Sequence, residues 1–227
     1  MTLLQMRNKV RLELDIDSYS ITDDEIDGKI NDAIDAAQSR THTIYQDYFL
    51  SYANIALVDG TQEYDLPADI YSNKIRKLYY NDGSRKYTIN RIINLDDTQD
   101  VDDNEDYRYL LVRRAGETLS QIQLWPTSNE DSATYVKIWY LRKAATLTLD
   151  ADEMDMPETE AYVIWHTKYN CIFKDLGNPL IQICKGNMDI EEKNMIETLM
   201  KMVPDEDDYI RADTSFYDDF NNGHALD

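Results

Sequence analysis

The chain has 227 residues, of which 42 % are hydrophobic, so it can form one sizeable globular domain or two small ones. No apolar run approaches the ~20 residues needed to span a bilayer, and the N-terminus lacks the basic and apolar regions of a secretory signal. The 44 acidic residues against 23 basic ones give a formal net charge of −21, which argues against condensation on duplex DNA because phosphate binding requires cationic side chains.

Two helices are predicted at the start of the chain. Thr2 and Gln5 have the spacing of a capping box, and apolar residues then recur on one helical face. Thr22 and Glu25 repeat this spacing, and the apolar face that follows predicts a helix from about Asp23 to Tyr48.

The period of the pattern changes to two between residues 49 and 150, which predicts strands. The segment Asn81-Asp82-Gly83 predicts a tight hairpin turn, since Asp-Gly tolerates positive φ angles. Pro67 and Pro126 cannot donate to a ladder and are expected to end strands or to lie at sheet edges.

Helical periodicity returns after residue 150. Pro157 suits the first turn of a helix, and Gly177 is a natural helix end. Asp189 and Glu192 then suggest the N-terminal cap of a further helix. Beyond Pro204 the chain has no periodicity and few apolar residues, so by itself it is expected to be disordered.

Separate runs of helix and strand favour an α+β fold rather than alternating α/β. The predicted architecture is a helical bundle built from both ends of the chain with an inserted antiparallel β domain. The predicted units are a helical domain of residues 1–48 and 151–204, a β domain of residues 49–150 and an acidic C-terminal arm of residues 205–227.

The sequence contains none of the common catalytic or cofactor motifs. There is no phosphate loop, dinucleotide-binding glycine motif, C-x-x-C pair, H-E-x-x-H motif or nucleophile elbow. His42, His166 and His224 are far apart and are interpreted as structural residues, and Cys171 and Cys184 as reduced, inert thiols. We therefore expect no enzymatic activity, no cofactor and no metal site. A small hydrolase hidden among the many acids is the disfavoured alternative.

An acidic loop resembles half of a calcium-binding loop. Asp100, Asp102, Asn104 and Asp106 have the alternating spacing of calcium ligands. The EF-hand interpretation fails, because Glu105 stands where glycine is required and the last position lacks a glutamate. A solvated loop is expected.

Many of the basic residues fall in the β region. They are Lys74, Arg76, Lys77, Arg85, Lys86, Arg91, Arg108, Arg113, Arg114, Lys137, Arg142 and Lys143. Because a similar number of acids accompanies them, this pattern indicates a mixed strand surface. Such a surface is better suited to contacts with another acidic subunit than to a nucleic-acid groove.

Several short motifs occur in a fixed order and together cover most of the chain. They are Gly60-x-x-x-Tyr64-x-Leu66-Pro67-x-Asp69, then Leu124-x-Pro126, then Val136-x-Ile138-x-Tyr140, and finally the approach from Leu147 to Pro157. The ordered set resembles the head-to-tail adaptors of short-tailed phages, the tail tubular protein A-like family. The acidic loop at residues 96–106 and the long acidic tail depart from the pattern of that family.

The resemblance implies a structural virion protein that is not an enzyme. It implies a homo-oligomeric ring, usually of twelve copies, between the portal protein and other tail proteins. Such a ring would surround the channel through which DNA leaves, without specific recognition of nucleic acid and without a membrane. The implied location is the capsid–tail junction, reached from the host cytoplasm during assembly. A carbohydrate- or host-binding β module of a phage particle is the alternative, suggested by the many tyrosines and the tryptophans.

The C-terminal arm carries aromatic residues that a merely solvating tail does not need. Tyr209, Phe216, Tyr217 and Phe220 could each contribute roughly 2–3 kcal/mol when buried against a partner. These four residues are therefore predicted to bind the portal or an adjacent subunit, with Asp218 and Asp219 facing basic residues. A disordered, solvating tail is the competing interpretation.

Overall fold

The computed structural model describes residues 1–15, 20–81, 84, 86–93, 106–115, 119–128, 135–173 and 178–203. The helices in this part of the chain are α1 (Leu3–Leu14), α2 (Asp23–Ile44), α3 (Glu160–Ile172) and α4 (Leu180–Met202), with a 3-10 turn at Pro157–Thr159. The strands are β1 (Leu50–Ala56), β2 (Glu63–Asp65), β3 (Ile70–Asn81), β4 (Lys86–Arg91), β5 (Arg108–Val112), β6 (Gln121–Trp125) and β7 (Tyr135–Arg142).

The first two helices begin where the sequence predicts. Thr2 and Gln5 form the capping box of α1, in which each side chain accepts a hydrogen bond from the backbone N–H of the other residue. The Thr22 hydroxyl accepts from the Glu25 N–H at 3.2 Å and caps α2. The end of α2 differs from the prediction, because the chain leaves the helix at Ile44 and makes a turn before Tyr48.

The last helix is longer than predicted. The expected start at Asp189 is wrong, since α4 begins at Leu180 and runs unbroken to Met202. No proline interrupts this stretch, and Gly186 costs a helix only about 1 kcal/mol relative to alanine. Asp189 therefore lies inside a helix with its side chain exposed, and the cap-like spacing to Glu192 is coincidental.

The seven strands form one curled sheet in the order β1-β7-β3-β4-β5-β6-β2. Neighbouring strands are antiparallel except β4 and β5, which run parallel through two residue pairs, Asn90 with Arg108 and Arg91 with Tyr109. The predicted hairpin is confirmed, as β3 pairs with β4 and Asn81 faces Lys86. Pro126 follows directly on the end of β6, and Pro67 stands two residues after the end of β2, as expected.

The predicted fold class, a helical bundle from both ends of the chain with an inserted antiparallel β domain, is wrong. The described chain has four helices and a curled, half-barrel sheet that is mixed because of the parallel β4–β5 pair. The sheet also shares a core with the helices, since Phe49, Ala144 and Leu147 at its ends pack among helical residues. Polar–apolar alternation is the same in parallel and antiparallel strands, so the sequence pattern could not fix the strand direction.

The apolar side chains form two main clusters. One joins the helices to the chain that flanks the sheet, and its fully buried members include Met6, Ile30 and Leu199. The other fills the concave side of the sheet with residues such as Leu78, Ile122 and Ile138. The domain boundaries near residues 49 and 150 remain a prediction.

Candidate interaction surfaces

The first motif of the resemblance forms a loop that is tied together by one hydroxyl. The Tyr64 hydroxyl accepts from the Val58 N–H at 3.1 Å and donates to the Thr61 carbonyl at 3.0 Å. Gly60 has a φ of 72°, a conformation that residues with a Cβ rarely adopt. The glycine and the tyrosine of the motif therefore hold the turn between β1 and β2.

The second motif lies directly against the first. β2 pairs with β6, and the Leu124 N–H donates to the Gln62 carbonyl at 2.8 Å. The Gly60 N–H donates to the Ser128 carbonyl, also at 2.8 Å. Segments that are more than 50 residues apart in sequence are thus joined into one structural unit, which explains why both belong to the same pattern.

The third motif contributes to the core of the sheet. Val136, Ile138 and Tyr140 point into its concave side and are buried. The Tyr140 hydroxyl donates to Asp69 of the first motif at 2.9 Å, and burial raises the pKa of this tyrosine. The motif residues therefore maintain the fold and do not themselves form an exposed site.

The segment after β7 is hydrogen-bonded to the first two helices. Asn31 makes a reciprocal pair of hydrogen bonds with the backbone of Leu147, at 2.9 and 3.0 Å. Arg7 is buried on α1 and donates to Asp27 at 2.7 Å and to Asp150 at 3.0 Å. These hydrogen bonds to carboxylates raise the pKa of Arg7 and fix its charge.

A second buried cation lies on α3. The Lys168 side chain is 1 % exposed, is paired with Glu13 and lies 3.7 Å above the Trp165 ring centroid. The ion pair could not be anticipated, because Glu13 is about 150 residues away in sequence.

The histidines and cysteines are packed as structural residues where the structure describes them. His42 is buried, with its ring centroid 4.2 Å from that of Tyr71, and burial together with Lys74 and Arg76 lowers its pKa to about 4. Burial also lowers the pKa of His166, although two nearby acids oppose this shift. Cys171 and Cys184 are buried and form no disulfide, and burial raises the pKa of Cys184.

The strands separate the charges in a way that the sequence analysis missed. All strands except β2 contain no acidic residue, although the chain has almost twice as many acidic as basic residues. Their basic residues are Lys74, Arg76, Lys77, Lys86, Arg91, Arg108, Lys137 and Arg142. The acids of this region lie in the connections and in the short β2, and some of them pair with these basic residues, as Asp47 does with Arg76. The expected mixed strand surface stays a prediction.

The outward side of β1, β7 and β3 carries a group of aromatic and cationic side chains, here called the strand face. It consists of Tyr52, Lys77, Tyr79, Lys137 and Trp139, which the strand register places on one side of the sheet. The rings of Tyr52 and Trp139 are paired with their centroids 5.2 Å apart, and Tyr52 is 56 % exposed.

The lysines of the strand face are held by rings and not by acids. Lys137 Nζ lies 3.9 Å from the Tyr52 ring centroid and 4.7 Å from that of Trp139. Lys77 Nζ lies 4.9 Å from the Tyr79 ring centroid. Among the residues that the structure describes, neither lysine has a carboxylate within ion-pair distance. Their charges are thus open to an acidic partner.

Two concave regions adjoin at Arg76. A shallow groove of about 340 Å³ runs along the strand face from Leu50 to Tyr79. A deeper cavity of about 360 Å³ lies beside it and is lined by Lys74, Arg76 and Arg91 together with Tyr109. Asp47 is the acid in the lining of the groove, and it is already paired with Arg76 at 2.8 Å.

Helix α4 exposes apolar side chains. Ile183 and Ile190, one heptad apart, are 56 % and 54 % exposed, and Met200 near the end of the helix is 61 % exposed. Residues at this spacing lie along one stripe of a helix. The stripe has the character of a surface that contacts another protein chain.

Several predicted features lie outside the described residues. These are the partner-binding residues Tyr209, Phe216, Tyr217 and Phe220, together with His224 and the acidic positions Asp100, Asp102 and Asn104. In the described residues, no three His, Cys, Asp or Glu side chains are grouped so as to hold a metal ion. None of the described helices is long and apolar enough to cross a membrane.

Comparison with protein families shows what the chain is similar to. The family model described as SU10 adaptor protein matches residues 1–175. The match spans α1 to α3 and the whole sheet, including all the motifs of the resemblance, and it stops before α4. No protein in the curated set matches the chain.

Proposed function

The chain belongs to the SU10 adaptor protein family, and we propose from this premise that it forms a ring between the portal and the tail of a phage. Membership makes it a structural adaptor of a phage particle and not a member of an enzyme family. The family match over residues 1–175 is the observation that carries the proposal. The finer points, twelve copies around a DNA channel at the capsid–tail junction, follow from the resemblance and are part of the proposal.

The charge of the chain suits a ring through which DNA passes. A net charge of −21 per copy gives duplex DNA little overall attraction to the assembled ring. The same charge opposes self-association at low ionic strength through repulsion between copies. Ring formation in the host cytoplasm should therefore require the portal protein as a template or a raised salt concentration.

The exposed stripe of α4 supports association with other chains. Ile183 and Ile190 would lose water-exposed apolar surface in a contact with a neighbour, which is favourable by about 25 cal/mol per Å². The arm residues Tyr209, Phe216, Tyr217 and Phe220 would add further contacts to the portal or to an adjacent copy. Both features lie beyond the segment that the family model matches, and they would serve partners specific to this protein.

The test is to mix the purified chain with purified portal protein over a range of salt concentrations. Light scattering coupled to size exclusion measures the mass of the complex, and negative-stain imaging shows whether a ring lies on the portal. The proposal expects such a ring with about twelvefold symmetry. A chain that stays monomeric and never joins the portal at any salt concentration would rule it out.

A second candidate function has one observation in its favour. The partly exposed pair of Tyr52 and Trp139 forms an aromatic platform of the kind on which sugar rings stack. A carbohydrate-binding module should then bind glycans as a monomer. Binding to a glycan array that is lost in Trp139→Ala, with no association with portal, would favour this function over the adaptor.

A further inference from the structure

We propose that the strand face binds the acidic C-terminal segment, residues 205–227, of a second copy of this chain. The inference rests on the proposed function and deepens it, because it names one of the contacts between copies of the ring. It follows from a mismatch of charge between the strand face and the rest of the chain.

The strand face has cations that the fold does not use. Lys77 and Lys137 lie on aromatic rings, and within the described part of the chain neither is paired with an acid. The buried cations Arg7 and Lys168, by contrast, are each paired with an acid of the same chain. The two lysines share one face of the sheet with three aromatic side chains, and this combination suits a partner segment that carries both acids and rings.

The C-terminal segment has the complementary chemistry. It contains eight acidic residues and a single arginine, and the acids surround the four aromatic residues of the arm. Asp218 and Asp219 stand directly between Tyr217 and Phe220. Carboxylates could therefore meet Lys77 and Lys137 while adjacent rings stack on Tyr52 and Trp139.

The shape of the site also suits a single chain segment. The groove along the strand face, of about 340 Å³, is shallow and has room for a few side chains rather than for a folded domain. The segment starts just after α4, which ends at Met202, and 23 residues can reach about 75 Å when extended. This reach is sufficient to cross from one copy of a small protein to the next.

A neighbouring copy is favoured over duplex DNA and over the same chain. DNA would approach a molecule whose total charge repels it, whereas the segment is already part of the assembly. A segment bound to its own strand face would leave the repulsion between copies unrelieved. Binding between copies places opposite charges at their contact and so lowers that repulsion.

Crosslinking of the full-length chain tests the inference directly. A photoreactive p-benzoylphenylalanine is placed at Tyr217, and isotope-labelled and unlabelled copies are mixed, alone and with portal, before irradiation. We expect crosslinks from position 217 to peptides containing Tyr52 or Trp139 that combine labelled with unlabelled chains. Crosslinks confined to single chains, to portal or to other surfaces, or no crosslinks at all, would overturn the inference.

Charge exchange provides an independent test in the same assay. Lys77→Glu with Lys137→Glu, or Asp218→Lys with Asp219→Lys, should each lower the crosslinked fraction by about tenfold. Combining both pairs in one chain should restore it. The matched control, Lys9→Glu with Lys185→Glu, makes the same change of charge on the helices and should leave the fraction unchanged. Failure of the combined variant to recover would contradict the proposed charge pairing.

The outcomes separate this inference from the proposed function. A ring on the portal without crosslinks to the strand face would refute the inference and leave the adaptor function standing. Crosslinks between copies without any ring on the portal would support the inference and refute the adaptor function. Binding of a labelled duplex DNA, lost in Lys77→Glu with Lys137→Glu, would show that the strand face serves nucleic acid and would also refute the inference.

Discussion

The helical part and the strand face hold their cations in different ways. Arg7 and Lys168 are buried among helices and are paired with acids that come from distant parts of the sequence. Lys77 and Lys137 lie at the surface of the sheet on aromatic rings, and their charges are not met by acids in the described residues. The first pair of cations joins helices to each other, whereas the second pair faces outward.

This difference separates residues that maintain the fold from residues that are available for contacts. Removing one member of a buried ion pair lowers the stability of the fold strongly, because it leaves the other charge buried without an opposite charge. An exposed cation on a ring contributes little to stability and can be exchanged without harm to the fold. Stability measurements and binding measurements should therefore respond to different residues in this protein.

The largest effect is expected for Arg7→Ala. This change leaves Asp27 and Asp150 without their cation, and it should lower the free energy of unfolding by about 3 kcal/mol, near the low end for a broken buried pair because Asp150 is partly exposed. Urea denaturation measures the loss. The control Arg40→Ala removes an exposed pair with Glu192 and should cost no more than about 1 kcal/mol. Equal costs would contradict the distinction between buried and exposed cations.

The second expected effect is a loss of stability in acid that depends on His42. Its pKa in the folded state is about 4, below the usual value of 6.5, so protons bind preferentially to the unfolded chain. Stability should be nearly constant above pH ~7 and should fall by about 2 kcal/mol between pH ~7 and pH ~5.

The control for this effect is His42→Phe, which keeps a ring against Tyr71 and cannot titrate. Urea denaturation at several pH values should show a shallower loss of stability in this variant. The remaining slope would include His166, whose pKa is also lowered. An unchanged slope would show that His42 is protonated as easily in the folded protein as in the unfolded chain.

The sequence predicted the parts of the fold that depend on local signals. The caps at Thr2 and Thr22 located the starts of two helices, and alternation located the strands. The parallel pairing of β4 with β5 was missed, because it depends on how residues 94–105 connect the two strands and not on their patterns. The helix start predicted at Asp189 is wrong, because the residues before it also form a helix. Cap-like spacing alone therefore does not locate a helix start when the preceding sequence can be helical.

The strand face could have been found in part from the sequence. Counting charges over residues 49–150 averaged basic strands with acidic connections and suggested a mixed surface. Counting within each predicted strand would have shown that most strands have no acid. The position of Lys137 over the rings of Tyr52 and Trp139 could not have been found, because it depends on the register of β1 and β7.

A smaller effect is expected when a buried and an exposed tyrosine are compared. Tyr64→Phe removes the hydroxyl that joins Val58 to Thr61, and it should lower the free energy of unfolding by about 1–2 kcal/mol. Tyr52→Phe removes an exposed hydroxyl and should change it by less than about 0.5 kcal/mol. Thermal and urea unfolding of both variants provide the comparison, and similar losses would show that the loop does not depend on Tyr64.

The smallest effect is expected at the strand face itself, where Lys137→Gln tests whether its cation contributes to stability. The lysine lies over two rings, but it is only half-buried and Tyr52 is exposed, so the interaction should be worth at most about 0.5–1 kcal/mol. A double-mutant cycle of Lys137→Gln with Tyr52→Leu isolates that contribution from the loss of the ring. A coupling energy above about 2 kcal/mol would mean that the strand face is built for stability in the same way as the pair of Arg7 and Asp27. A small value, together with the loss of crosslinking in the Lys137→Glu variant, would instead mean that this cation is kept for a contact outside its own chain.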